Sequence, residues 1–264
     1  MFIRKQHHIE LSNSDIVDFS AGITKGRISQ TRTDAQKQLL WNRLLTESGG
    51  KASSVFEFVP IILNQTLLNK IQSKFNTDYA SFVNKITRYS YVTLNENNEP
   101  TYFTNLRTLL RANINESILN DIKNENIDMS LFDNFKIIWG HVPYKFISHL
   151  VRHRKFSFEI ETSRDKRYKP TFYIPTELSI TQQSLIKFTS KKLYQLSLWL
   201  KRKGIKSEIA NMFLPSNRLV YFAMAGWKND SDTFDNLFHV RSENTGTLNI
   251  TNTLVNNIKK IINE

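Results

Sequence analysis

Residues 152–164 read Arg152-His153-Arg154-Lys155-Phe156-Ser157-Phe158-Glu159-Ile160-Glu161-Thr162-Ser163-Arg164. Four cations, one histidine and three hydroxyls fall within these thirteen residues. A guanidinium presents five N–H donors in a planar fork that matches phosphate, and hydroxyls or backbone N–H groups complete such a cradle. Packing accounts for Phe156 and Phe158, but a merely solvated face has no need of so many donors between them. The stretch is a candidate anion site.

The flanks set this stretch in a mixed context. Upstream, residues 131–139 (LFDNFKIIW) are rich in aromatic and β-branched side chains and read as a strand. Pro143 then suits the entry to a helix over 144–151. Downstream, residues 171–175 are a short extended piece, followed by a long helix over 181–203 that ends at Gly204. A second helix starts near Ser207, whose hydroxyl suits a cap, and stops before Pro215. Residues 217–225 are a strand or a buried helix, which periodicity does not separate. An amphipathic helix covers 251–262 with Leu254, Ile258, Ile261 and Ile262.

Toward the N-terminus, residues 1–25 are polar and mixed, with a helix start at Ser14-Asp15. Thr33-Asp34 caps a helix over 33–46 that ends at Gly49-Gly50. Residues 53–59 form a turn leading into an apolar segment. Residues 60–132 read as helices, interrupted by a polar break from Asn95 to Pro100. The order is α+β, in one domain spanning 1–264 without repeat or linker.

Composition bounds the chemistry. The chain has 264 residues, a formal net charge of +12 and no cysteine. The charge suits an anionic partner or a lysine-rich surface. The missing cysteine excludes disulfides, thiolate metal sites and a cysteine nucleophile. No run approaches the length of a membrane span, and the N-terminal residues lack the apolar stretch of a secretory signal, so the expectation is a cytoplasmic protein with no membrane partner. His149 and His153 have the i, i+4 spacing of a zinc pair, but nothing nearby supplies a clear third ligand, so no metal is expected. Trp41, Trp139 and Trp199 lie in apolar contexts and are expected in the core.

The Arg152 stretch resembles the signature of the flavin-dependent thymidylate synthases, in which Arg-His-Arg is followed by Ser and a polar run ending Ser-x-Arg. Here the pattern is Arg152-His153-Arg154, Ser157, Thr162 and Arg164. Gly26-Arg27-Ile28-Ser29, Ser54-Val55-Phe56-Glu57, the run from Glu208 to Pro215, and Asn236 to Arg241 resemble further family segments in the same order. The resemblance implies a mixed sheet flanked by helices, with residues 60–132 as an inserted helical segment. It implies reductive methylation of dUMP to dTMP, with methylenetetrahydrofolate and NADPH as co-substrates and FAD as cofactor. Ser54, Arg152, His153, Arg154 and Asn236 would contact FAD. Thr162, Ser163 and Arg164 would hold the nucleotide phosphate, with Arg152 beside them. Arg241 would sit against the pyrimidine as the catalytic residue. A homotetramer with sites shared between subunits is expected by the same analogy.

Several positions depart from the family pattern. His149 and Asn211 stand at nucleotide-binding positions where the family has Gln or Glu and Arg. Ile160 replaces a usual Glu or Gln, Glu57-Phe58 replaces Glu-His, and Arg167 is an alternative to Arg164 as the phosphate-binding arginine. These departures leave two further readings of the same fold: an enzyme acting on another pyrimidine nucleotide, and a catalytically degenerate homologue. A reading of another class is a basic nucleic-acid-binding protein, in which Phe156 and Phe158 stack on bases and affinity falls steeply with salt.

Overall fold

The computed structural model describes residues 1–6, 13–25, 32–46, 53–74, 79–114, 117–119, 122, 127–153, 155–162, 171–242 and 249–263. The larger of two sheets has the order β1 (Phe2–Gln6), β5 (Phe135–Pro143), β7 (Leu219–Trp227), β6 (Ser157–Ile160). The smaller has the order β2 (Pro60–Leu63), β4 (Pro100–Asn105), β3 (Tyr91–Leu94). Every described pairing in both sheets is antiparallel, so the expected mixed sheet is corrected while the α+β class holds.

The central strands explain why the sheet is covered on both sides. Along β5 and β7, successive side chains point to opposite faces. Ile137, Trp139, Ala223 and Ala225 enter one core, with α1 (Asn13–Thr24), α2 (Asp34–Thr46) and the small sheet. Ile138, Val142, Phe222 and Met224 enter a second core, with α6 (Tyr144–Leu150), α9 (Phe234–Ser242) and α10 (Asn249–Asn263). On α10, Leu254, Val255, Ile258 and Ile262 are buried, the i, i+4, i+8 stripe read from the sequence.

The 60–132 stretch differs most from the expectation. Its helices α3 (Gln65–Ser73), α4 (Tyr79–Arg88) and α5 (Leu106–Arg111) are joined by the three strands of the small sheet. The Asn95–Pro100 break is the turn of the β3–β4 hairpin. Asn95 Oδ1 accepts the N–H groups of Asn97 and Glu99, both at 2.9 Å, and Asn98 takes φ 60°, which asparagine tolerates better than most side chains. The strands are short, and tertiary pairing decided them. From Leu219 onward the 217–225 run belongs to strand β7, which pairs along its whole length with β5.

Local signals explain the helix ends. Thr33 and Gln36 exchange side-chain and backbone bonds at the start of α2. The long helix α7 (Ile180–Arg202) begins with a full capping box between Ser179 and Gln182. Helix α8 (Ser207–Asn211) is entered from Lys206, without the side-chain cap expected of Ser207. Trp41 and Trp139 are buried as expected, but Trp199 is 53% exposed on α7, a correction to its expected core position. Among the described residues, no helix is long and apolar enough to cross a membrane.

Candidate functional site

Helix α6 leaves β5 at Pro143, and its buried Phe146, Ile147 and Leu150 fix it on the sheet. The chain then turns, with His153 N–H bonded to Leu150 O at 2.9 Å. This turn carries His153 under α9, whose Phe234 and Leu237 are buried in the same core. At the end of α9, Arg241 donates from Nε to His153 Nε2 at 3.2 Å and from Nη2 to the His149 carbonyl at 3.0 Å. Asn236, one turn earlier, hydrogen-bonds the His153 ring. Four of the expected site residues, His149, His153, Asn236 and Arg241, therefore meet in one cluster.

The electrostatics of that cluster are coherent. Burial pushes the His153 pKa below its ordinary value, Arg241 pushes it the same way, and the bond to Asn236 opposes both. A ring whose Nε2 accepts from a guanidinium is neutral, with its proton on Nδ1. That lone pair is therefore not offered to a metal. Among the described residues, no group of three or more His, Asp or Glu side chains is placed to hold one. His149 is lowered by burial and then by Arg241, Lys145 and Arg152. Its Nδ1 is buried with no hydrogen-bond partner among the described residues. Burial and Arg152 also lower the pKa of Arg241, so Arg152 adds its positive field to the same place.

The other expected residues lie elsewhere. Ser54 opens a 3-10 turn (Ser54–Phe58) and donates its hydroxyl hydrogen bond to Glu159 on β6. Ser157 and Glu159 pair with Ala225 and Ala223, whereas Phe158 and Ile160 pair with Met224 and Phe222. Alternation therefore places Glu159 and Ser54 on the face of the sheet opposite to the Arg241 cluster. Thr162 donates its backbone N–H to Thr24 O at 3.0 Å, beyond the end of β6. Asn211 closes α8, which packs on α7. Arg154, Ser163, Arg164 and Arg167, and the Gly26-Arg27-Ile28-Ser29 segment, lie outside the described residues.

The residue-by-residue reading missed a second polar group. Glu159 is 4% exposed, and burial raises its pKa to about 7. Ser54 lowers it, Glu57 raises it by like charge, and Arg107 lowers it. Arg107 in turn makes an ion pair with Glu57. The available signal was strand alternation: Ile160 sits at the motif position of a family acid, yet the buried acid is its neighbour, facing the other way. Arg107 carried no signal, because it lies 50 residues from Glu57 in sequence. The sequence matches no protein-family model, and no curated protein matches it.

Proposed function

We propose that this chain is a flavin-dependent thymidylate synthase, carrying out reductive methylation of dUMP at C5. One observation carries the reading. Arg241 and His153, assigned to a common site on motif grounds alone, are 88 residues apart in sequence and hydrogen-bonded to each other.

The residues suit the groups such a site takes. Arg152 is exposed beside the cluster and offers its guanidinium to a phosphate or flavin oxygen. His153 is neutral and buried, and so offers a flat ring without a competing charge. When bound, FAD reduced by NADPH would supply the hydride, and methylenetetrahydrofolate the carbon unit. Arg241 uses two N–H donors within the protein, which fixes the guanidinium plane and leaves the remaining donors to face a ligand. Uracil C5 becomes nucleophilic as negative charge gathers on the N3–C4=O edge. A fixed guanidinium stabilises that charge without reorganising, as oxyanion-hole donors do.

Ser54 lies on the other sheet face from Arg241, so a flavin site using both residues is completed by a second copy of the chain. Exposed Leu185, Phe188 and Trp199 on α7, with Ile209 and Met212 nearby, support the proposed homotetramer.

The test is an FAD titration of the purified protein followed by visible spectroscopy, with tritium release from 5-tritiated dUMP. Saturable flavin uptake and release are expected; absence of any flavin uptake sinks the reading. A second reading, action on another pyrimidine nucleotide, is favoured by the unpartnered His149 Nδ1. It predicts faster tritium release from 5-tritiated UMP, or from another modified pyrimidine nucleotide labelled at C5, than from dUMP.

A further inference from the structure

A cavity of about 400 Å³ lies where the small sheet meets the end of the large one, and His149, His153, Asn236 and Arg241 do not line it. The α4–β3 junction, β4 and α5 form one wall, and the starts of β5 and β6 with the end of β7 form the other. Its size is that of a small-molecule site, for which about 300–1,000 Å³ is usual.

Two features of the lining point to one ligand chemistry. The first is charge. Four cationic and two anionic side chains line the space. Arg107 is paired with Glu57, and Lys155 reaches Asp230 at 3.5 Å. Arg88 and Arg111 have no carboxylate partner among the described residues and are both exposed at the rim. Two unpaired guanidiniums match a phosphate dianion, which accepts from planar N–H forks.

The second is the apolar wall formed by Phe103, Phe156 and Trp227, each less than 10% exposed. Trp227 meets Phe103 edge-on with centroids 5.1 Å apart, so these rings are held rigidly.

We propose that this cavity binds a small aromatic phosphate, with the ring against Trp227 and Phe103 and the phosphate held by Arg88 and Arg111. The site belongs to the 60–132 stretch as much as to the large sheet. It gives that stretch a role as a second ligand-binding element, whatever reaction occurs at Arg241.

Phenyl phosphate is the minimal probe, with inorganic phosphate and benzoate as comparisons. The Trp227 indole N–H resonance, assigned by its loss in Trp227→Phe, reports occupancy by NMR titration. Saturable shifts with phenyl phosphate are expected, with inorganic phosphate and benzoate binding at least tenfold more weakly. An Arg88→Gln/Arg111→Gln double variant should lose at least tenfold in affinity with an unchanged melting temperature, since both side chains are exposed. No shift at Trp227, unchanged affinity in the double variant, or benzoate binding as tightly as phenyl phosphate would each overturn the assignment. Binding abolished by Arg241→Gln instead would place the ligand at the other cluster and overturn it equally.

Discussion

Replacing Glu159 by glutamine tests the most unusual electrostatic feature of the fold. Glutamine keeps the shape and the acceptor for the Ser54 hydroxyl, but it removes the ionisation. Glu159 has its pKa raised from 4.5 to about 7, mainly by burial. A raised carboxyl pKa means that the folded state holds a proton the unfolded state has already released. Its contribution is therefore fully present below pH 4.5 and is lost as pH rises toward 7. Each pH unit across that interval weakens folding by about 1.4 kcal/mol, for a total of about 3 kcal/mol. Because Glu159 is nearly inaccessible, solvent screening takes little away. The expected result is that Glu159→Gln and the natural protein have similar stability at pH 4.5, and that the variant is more stable by about 3 kcal/mol at pH 8. Urea denaturation at half-unit pH steps, followed by far-ultraviolet circular dichroism, measures the difference. Parallel pH profiles for the two proteins would refute the reasoning, as would a variant less stable at every pH.

Glu57→Gln removes the like charge beside Glu159 and leaves Arg107 nearer to unpaired, so the folded-state pKa of Glu159 should fall and the advantage of Glu159→Gln at pH 8, read from urea midpoints in that background, should shrink. On the proposed function, Arg241→Gln should retain folding and lower tritium release from 5-tritiated dUMP by about 10²–10³-fold, the size of losing one oxyanion-stabilising donor. Gly140→Ala should destabilise by about 1–3 kcal/mol or more, because its Cβ would run into the Phe2 carbonyl on the paired strand. Gly204→Ala has open space but a φ of 82°, so its thermal shift should reflect only about 1–2 kcal/mol of backbone strain. Phe188→Glu combined with Trp199→Glu should leave monomer stability within about 0.5 kcal/mol and reduce the sedimenting mass, if α7 carries a subunit contact.

Helices with strong local signals were legible in the chain. The Ser179–Gln182 capping box, the Thr33 start of α2 and the α10 apolar stripe depend on neighbours a few residues away, and each element lies within a few residues of its expected bounds. The small sheet was not legible. Its strands β2 and β3 are four residues each; β2 pairs with β4 across the whole of α3, α4 and β3, and the β3–β4 hairpin turn read only as a polar break between helices. Residues 217–225 illustrate the same point: an apolar run fits a buried helix or a buried strand, and the ladder to β5 decides it.

The candidate site divides along the same line. Residue types marked the 152–164 run, His153 included, as a candidate anion site; His149, Asn236 and Arg241 were named only by the family resemblance. That they meet required α6 and α9 to pack on one sheet face, and this followed from the two-sided burial of β5 and β7. The sequence determined which groups were available and where helices begin and end. Tertiary structure alone decided that Ser54 faces away from Arg241, that Glu159 is buried near Arg107, and that Arg88, Thr104 and Arg111 border one cavity with Trp227. The reason is physical: burial and electrostatic coupling depend on distance through space, and antiparallel pairing sets that distance across gaps that sequence proximity does not encode.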